Sequence, residues 1–295
     1  MRTNVFATMM VAMGYGFGVA DVENSIVEVG PGMPYPSIQA GVNIVAKYGV
    51  VLVYPKADGS GYDETVTIPR SKEGNFAIVG MGGRGAAFIE PSTEDTGGMI
   101  VHADDVTIIN LGIAAEDDTV GNYALTGTGS RFRAYGCKIE GGERQVSWGP
   151  GTVAQEAAGT HGNSGDILFE DCEFCWGTNG IVLVCTDYGA VTQFKVRKSH
   201  FHNISGKHVT EEVGSGGSAA VTFQNVVLDE NTHDDLDVGT APTNYIDLNG
   251  DNANTGVVSR CVFPTAINSG LNLVSTAMHW VCNYHTGGIS TGQPS

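Results

Sequence analysis

The sequence has few charged residues, few aromatic residues and no long uninterrupted apolar run. Charged residues make up 16% and aromatic residues 8% of its 295 positions. No stretch reaches the roughly 18–20 consecutive apolar residues that a transmembrane helix needs. Hydrophobic residues still make up 41% of the chain, and no polar low-complexity tract interrupts them. The composition therefore excludes both a membrane span and a disordered chain.

Basic residues are also scarce. The chain has 15 Lys and Arg against 32 Asp and Glu, which gives a formal net charge of −17 and a pI of about 4.6. Nucleic acids and anionic membranes would repel such a chain. We therefore do not expect either of them as a partner.

Only one closely spaced cysteine pair occurs, Cys172 and Cys175, among six cysteines. No second CxxC or HxxxH segment accompanies this pair, so a structural role is favoured over zinc or redox chemistry. A chain of this length can build its core without disulfides. We expect mostly free thiols and no cofactor.

The first residues form an apolar segment that glycines interrupt at positions 14, 16 and 18. One Arg, an apolar run and a small-residue ending imitate a secretory signal. We expect instead an N-terminal arm over residues 1–24 that docks or oligomerises, followed by a single domain over residues 25–295.

Glycine is abundant, at 42 residues, and an eight-residue unit recurs along the chain. Its pattern is apolar, any, apolar, any, turn residue, small or apolar, any, apolar. The copies are VTIINLGI from Val106, FRAYGCKI from Phe132, ILFEDCEF from Ile167, FKVRKSHF from Phe194, VTFQNVVL from Val221, GVVSRCVF from Gly256 and AMHWVCNY from Ala277. Each copy is typical of a strand, a sharp bend and a second strand, since strand side chains alternate with period two.

One coil cannot bury its apolar face, whereas stacked coils can. The repeat therefore predicts an all-β fold, a right-handed parallel β-helix of about seven or more coils. Position eight would form one interior row: Ile113, Ile139, Phe174, Phe201, Leu228 and Phe263. Position six would form another, with Cys282 as a further buried member in the last copy: Leu111, Cys137, Cys172, Ser199, Val226 and Cys261.

The segment before the repeats predicts a short capping helix and the first strands. PSIQAGVNIVAKYG has Ile38, Val42 and Val45 at helical spacing and ends at Gly49. The apolar runs of residues 50–55, 65–69 and 76–80 are typical of strands.

These same segments resemble a known family. YPSIQAGVNIVAKYGVVLVYP, GYDETVTI and NFAIVGMGG are similar to the opening of pectin-lyase-like β-helix proteins, which include pectinesterases and phage tailspikes. The resemblance covers Ser25 to Ile113 and implies the fold, which does not determine function. The Gln-Asp, Asp-Phe and Arg-Pro-Trp segments of pectinesterases have no counterpart here. The apolar arm before the coil resembles phage virion proteins.

Acidic residues concentrate in the two connections around the Val221 unit. Polysaccharide cleavage needs two carboxylates that flank one bond, and solvated acidic loops are the alternative interpretation. The candidate catalytic residues are Glu211, Glu212, Asp234 and Asp235.

The segment DLNGDN matches the first half of a calcium loop, with Asp247, Asn249 and Asp251 as candidate ligands. Asn252 stands where such a loop has Gly, and Val258 stands where it has Glu. An Asx-rich turn is the alternative.

Three aromatic residues near turns are candidates for stacking on sugars: Trp148, Trp176 and Tyr188. Aromatic capping of the solenoid core is the alternative for each of them.

The absence of catalytic motifs predicts a non-enzymatic virion surface protein, a bacteriophage capsid decoration or tailspike. We expect a homotrimer whose other partners are capsid or tail proteins and host-surface polysaccharide, located on the virion surface. The alternative is a tailspike-type depolymerase, a glycoside hydrolase or lyase with paired carboxylates. A pectinesterase-like carbohydrate esterase is a third possibility, and secretion is the alternative localisation.

Overall fold

The computed structural model describes most of the chain from residue 24 onward. The described ranges are residues 24–72, 74–92, 97–116, 122–149, 164–185, 190–213, 222–234, 245–248, 254–264, 271–272, 278–285 and 288–290. The predicted arm therefore lies outside the described residues except for Asn24, and its role stays a prediction.

The strands form three sheets that run along a solenoid. Sheet A contains β1 (Ile26–Val29), β2 (Val50–Val53), β4 (Phe76–Gly80), β7 (Val106–Ile109), β10 (Arg133–Tyr135), β13 (Ser164–Glu170), β16 (Ala190–Arg197), β19 (Thr222–Gln224), β20 (Val226–Asp229), β23 (Gly256–Ser259) and β26 (Met278–Val281). Sheet B contains β5 (Ala87–Ile89), β8 (Leu111–Ala114), β11 (Lys138–Glu140), β14 (Glu173–Gly177), β17 (His200–Ile204), β21 (Thr232–His233), β24 (Val262–Phe263), β27 (Asn283–His285) and β28 (Gly288–Ser290). Sheet C contains β3 (Val66–Ile68), β6 (Met99–Val101), β9 (Tyr123–Gly127), β12 (Arg144–Trp148), β15 (Asn179–Cys185), β18 (Val209–Val213), β22 (Ile246–Asp247) and β25 (Leu271–Asn272).

Neighbouring strands pair in parallel, and each pairs with the equivalent strand of the next coil. In β13 and β16, for example, Ile167 lies beside Phe194 and Phe169 lies beside Val196. All four side chains are fully buried in one continuous core. The described strands depart from parallel pairing only between β27 and β28. The predicted fold class, a parallel β-helix, is confirmed.

A sharp bend of one or two residues joins each repeat strand of sheet A to the following strand of sheet B. Its first residue has a positive φ, which Asn, Gly and Asp tolerate best. The bend residues are Asn110, Gly136, Asp171, Lys198, Glu230, Arg260 and Cys282.

The interior rows follow the predicted order through the first four repeats and then shift. Phe174 and Phe201 stack with ring centres 4.6 Å apart, as expected of one row. Leu228 instead pairs with Val196 in sheet A, and His233 takes the place beside Phe201.

The predicted row at position six also needs a correction in the same coil. Val226 lies in sheet A beside Gly256. The buried Asn231 replaces it, accepting a hydrogen bond from the Ser199 backbone N at 3.0 Å. The pattern failed here because Asn225 and Glu230 both adopt a positive φ, and Asn is by far the commoner residue in that conformation.

The cysteine predictions hold for three of the four residues placed in the interior row. Cys137, Cys172 and Cys261 are buried, whereas Cys282 is exposed because it occupies the bend rather than the next position. All five cysteines whose side chains are described are free thiols.

The helix α1 (Ile38–Ile44) begins where the sequence predicts and ends earlier. The Ser37 side chain caps it by accepting a hydrogen bond from Ala40 N at 3.2 Å. Val45 leaves the helical conformation, with ψ of 132°, and buries its side chain in the core. Among the described residues no helix has the length and apolarity that crossing a bilayer requires.

Candidate functional site

The longer connections of the middle coils begin or end at sheet C. Residues 149–163, 214–221 and 248–255 follow strands of sheet C, and residues 234–245 precede β22. Sheets A and B, by contrast, meet in tight bends. Binding and catalytic residues concentrate where loops border a rigid scaffold. Sheet C is therefore the face on which to look for a site.

The outer face of sheet C carries two carboxylates on adjacent strands. Thr210 of β18 lies beside Asp247 of β22, and Glu212 follows two residues later on the same face of β18. The strand rise and spacing place the Cα atoms of Glu212 and Asp247 roughly 8 Å apart. We call Glu212 and Asp247 the outer carboxylate pair.

Each member of the outer carboxylate pair has a cation. The Lys207 ammonium group forms an ion pair with Asp247. Arg144 Nη2 lies 2.5 Å from Glu212 Oε2, and its guanidinium carbon lies 5.0 Å from the centre of the Tyr123 ring. Asp247 is 14% exposed and Glu212 47% exposed, so that Asp247 is the more enclosed of the two.

A third carboxyl group, that of Glu211, lies on the opposite face of β18 and is partly buried. Asn254 Nδ2 donates to Glu211 Oε2 at 2.7 Å. Burial raises the pKa of Glu211 to about 7, the charge of Asp247 adds to this effect, and the Asn254 hydrogen bond opposes it. Near neutral pH this carboxyl group therefore retains much of its proton.

The structure separates the catalytic candidates predicted from the sequence. Glu211 and Glu212 are adjacent on one strand, so their side chains point to opposite faces. Asp234 follows β21 on the outside of sheet B, where His200 Nε2 contacts its carboxylate. Asp235 lies outside the described residues. A catalytic role for these four residues stays a prediction.

Asp247 became a candidate through the calcium-loop pattern rather than through the catalytic one. Asn249 and Asp251, its two companions in that pattern, lie outside the described residues. Sequence reasoning missed Arg144 and Lys207 altogether. No local signal marks them, because each meets a carboxylate from a different coil.

The aromatic candidates have different surroundings. Trp148 is fully buried and packs on Phe132 at 4.5 Å between ring centres, and its indole N–H donates to Ser164 Oγ. It is a core residue and cannot stack on a sugar from outside. Trp176 is 55% exposed and has a positive φ of 58°. Tyr188 lies outside the described residues.

Solved structures with this fold match nearly the whole chain. The Escherichia coli protein ybhc has a TM-score of 0.56 and 13% identity over 95% of this chain and 80% of that one. The pectin methylesterase of Aspergillus niger has a TM-score of 0.54 and 12% identity over 92% and 87%. That of Yersinia enterocolitica has a TM-score of 0.51 and 13% identity over 88% and 93%. At such identities the likeness establishes the fold alone.

Sequence comparison adds no family. No protein-family model matches the chain, and no curated protein matches it significantly.

The comparisons correct the predicted function. The sequence predicted a non-enzymatic virion surface protein, and this prediction is wrong by these comparisons: the chain shares its fold with pectin methylesterases, which are enzymes. Neither a virion role nor a polysaccharide depolymerase finds support in them. The prediction relied on the absence of familiar catalytic segments, which by itself does not exclude an enzyme.

Proposed function

We propose that the chain is a hydrolase of carbohydrate esters whose substrate lies along the outer face of sheet C. The observation that carries this proposal is the outer carboxylate pair, in which each carboxylate has its own cation, on the face that the longer connections border. The pectin methylesterases of the same fold agree with an ester substrate.

The geometry suits a general-base hydrolysis. Asp247 removes a proton from a water molecule as the water oxygen bonds to the ester carbonyl carbon. The Lys207 ammonium group, beside Asp247, stabilises the oxyanion that develops. When the bond from carbon to the alcohol oxygen breaks, Asp247 returns the proton to that oxygen. The products are a carboxylic acid and an alcohol.

The charge of the protein also favours an esterified polymer over its product. The chain has a net charge of −17. A uronic acid polymer loses its negative charges when it is esterified and regains them on hydrolysis, so the electrostatic field repels the product more strongly than the substrate. Arg144 and Glu212 neutralise each other locally; we assign them to substrate positioning.

The proposal is tested by incubating the purified protein with methyl-esterified pectin and with acetylated polysaccharides. Released methanol and acetate are measured by NMR. We expect release from at least one substrate, reduced about 100-fold or more in Asp247→Asn because the general base is lost. Glu170→Gln, a carboxylate on sheet A, is the matched control and should keep full activity.

Glu211→Gln distinguishes the two adjacent glutamates. Glutamine resembles the protonated carboxyl group that Glu211 retains near neutral pH, so this variant should remain active at pH 6. Absence of any release by the wild-type protein, or an Asp247→Asn variant as active as the wild type, would falsify the proposal.

A further inference from the structure

A second group of reactive side chains lies on the outer face of sheet B, away from the proposed esterase site. Glu140, Cys175 and His202 occupy equivalent positions on the successive strands β11, β14 and β17. Glu173 lies two residues before Cys175 on the same face of β14. Three coils, far apart in sequence, thus contribute side chains to one row.

The two cysteines of the CxxC segment point in different directions. Cys172 belongs to the interior row, where its thiol lies 3.6 Å from Ala134 O. Cys175 faces outward, opposite to the buried Phe174, yet its own side chain is buried beneath its neighbours. The segment is therefore not a two-cysteine site, and Cys175 alone is available to the outer row.

The distances within this group match those between ligands of one small cation. His202 Nε2 lies 3.1 Å from Glu173 Oε1, and Cys175 Sγ lies 3.8 Å from the same oxygen. The three ligand atoms all lie within 4.8 Å of one another. Ligands of a tetrahedral zinc ion at bond lengths of about 2.0–2.3 Å are roughly 3.3–3.8 Å apart.

The two carboxylates in contact with the thiol disfavour a catalytic thiolate and favour a cation. Cys175 Sγ lies 3.6 Å from Glu140 Oε2, besides its contact with Glu173. Burial first, and then the charge of Glu140, raises the pKa of Cys175, whereas the charge of Lys138, which forms an ion pair with Glu140, opposes this rise. A nucleophilic cysteine needs an electropositive setting, whereas a divalent ion gains from the carboxylates and displaces the thiol proton.

We propose that Glu173, Cys175 and His202 bind one Zn²⁺ ion, with the fourth tetrahedral position left to water next to Glu140. Sulfur, imidazole nitrogen and carboxylate oxygen together form a ligand set that zinc accepts. On binding, Cys175 releases its proton to solvent and a Zn–S bond forms. The ion joins β14 to β17 across the outside of sheet B, so its role is to stabilise the coils, independently of ester hydrolysis.

The test is a titration of the full-length, metal-free protein with Zn²⁺ and with Co²⁺. We expect one ion per chain after gel filtration, measured by inductively coupled plasma mass spectrometry, and a raised melting temperature. Co²⁺ should produce the near-ultraviolet charge-transfer band of a cobalt–thiolate bond. Cys175→Ser should lose the band, and His202→Gln should weaken binding at least about tenfold.

Two matched controls show whether the site is the proposed one. Cys172→Ser changes the other cysteine of the segment, and His200→Gln changes the imidazole stacked on His202 at 4.5 Å; both should keep the band and the stoichiometry. Circular dichroism verifies that each variant is folded. The proposal fails when the wild-type protein retains no zinc, or when the cobalt–thiolate band persists in Cys175→Ser.

Discussion

The interior row of sheet B changes character along the solenoid. Its first half consists of Ile89, Ile113 and Ile139, all fully buried. Its second half is a stack of flat rings, listed from the middle of the chain onward: Phe174, Phe201, His233 and Phe263. The strands pair in the same way in both halves, so the halves differ in how their side chains pack against one another.

The aromatic half contains a polar ring where the aliphatic half has none. His233 lies between Phe201 and Phe263, with ring centres 4.9 and 4.7 Å away and interplanar angles of 8° and 7°. Its Nδ1 atom lies 3.1 Å from Nδ1 of His208, so one ring donates and the other accepts. Burial lowers the pKa of both rings, that of His208 to about 3.

Within the stack, His233 supplies a flat ring between Phe201 and Phe263 although its imidazole is polar. A branched aliphatic residue has no flat face to offer Phe201, whereas an imidazole has one, at the cost of a polar core. Neither Nε2 atom of the two histidines has a hydrogen-bond partner among the described residues. The aromatic half of this row therefore combines tight packing with a sensitivity to acid that the aliphatic half lacks.

The largest expected effect comes from removing a ring from the stack. Phe201→Ala should destabilise the protein by about 3–5 kcal/mol, because it leaves a cavity between Phe174 and His233. Phe174→Ala should cost a similar amount. Urea denaturation measures both, and Ile139→Val in the aliphatic half is the comparison, at about 0.5–1.5 kcal/mol. Midpoints that do not change would show that the assigned stacking is wrong.

The next effect concerns acid. When burial lowers the pKa of a histidine in the folded state, the unfolded state takes up a proton at a higher pH than the folded state does. The contribution of that histidine to stability is therefore fully present above about pH 6.5 and is lost as the pH falls. For a histidine that stays neutral the loss is about 2 kcal/mol by pH 5. His233→Phe should reduce the loss of stability between pH 7 and pH 5 by an amount of this order.

This measurement compares the variant with the wild type at each pH. The raised pKa of Glu211 acts in the opposite direction, favouring the folded state at low pH, but it is common to both proteins. The control is His279→Asn, because His279 is an exposed histidine in β26. A His233→Phe variant with the same pH dependence as the wild type would contradict the prediction.

The smallest effect is expected in the neighbouring interior row. Cys172 and Ser199 occupy equivalent positions in successive coils, and Ser199 Oγ already donates to a backbone carbonyl at 2.9 Å. Cys172→Ser should therefore cost only about 1 kcal/mol, since the hydroxyl can donate to the backbone as the thiol does. Thermal unfolding measures it; a loss as large as that of Phe201→Ala would show that this row also depends on exact shape.

Sequence reasoning succeeded where the signal is local. The first three repeats have Asn110, Gly136 or Asp171 at the bend, and the strands and bends of the repeats from Val106 to Phe201 lie where the pattern predicts. It failed at the Val221 unit, where Asn225 and Glu230 compete for the bend. Glu230 occupies the bend between sheets A and B, and Arg260 of the next bend contacts it at 3.0 Å between Nη1 and Oε1. That contact joins two coils, so neither segment by itself predicts it.

The functional candidates show the same division. Acidic clustering drew attention to Glu211 and Glu212, and the calcium-loop pattern drew attention to Asp247, but neither pattern indicated the cations beside Glu212 and Asp247. The CxxC spacing drew attention to Cys175, but its neighbours on the outer row come from other coils. The spacing of residues along the sequence indicates which side chains are close within one coil, whereas a site on a solenoid combines side chains from several coils.

The amino-acid sequence by itself determined the strands, the bends and the parallel β-helix, because alternation and turn chemistry act within eight residues. Only the tertiary structure decided which side chains meet, because neighbours in a row are some 21 to 37 residues apart and loops of unequal length set the register. The partners of Asp247, the ring beside Phe201 and the group around Cys175 all depend on that register. Each strand and bend depends on residues that are close in sequence, whereas each of these groups combines side chains from different coils.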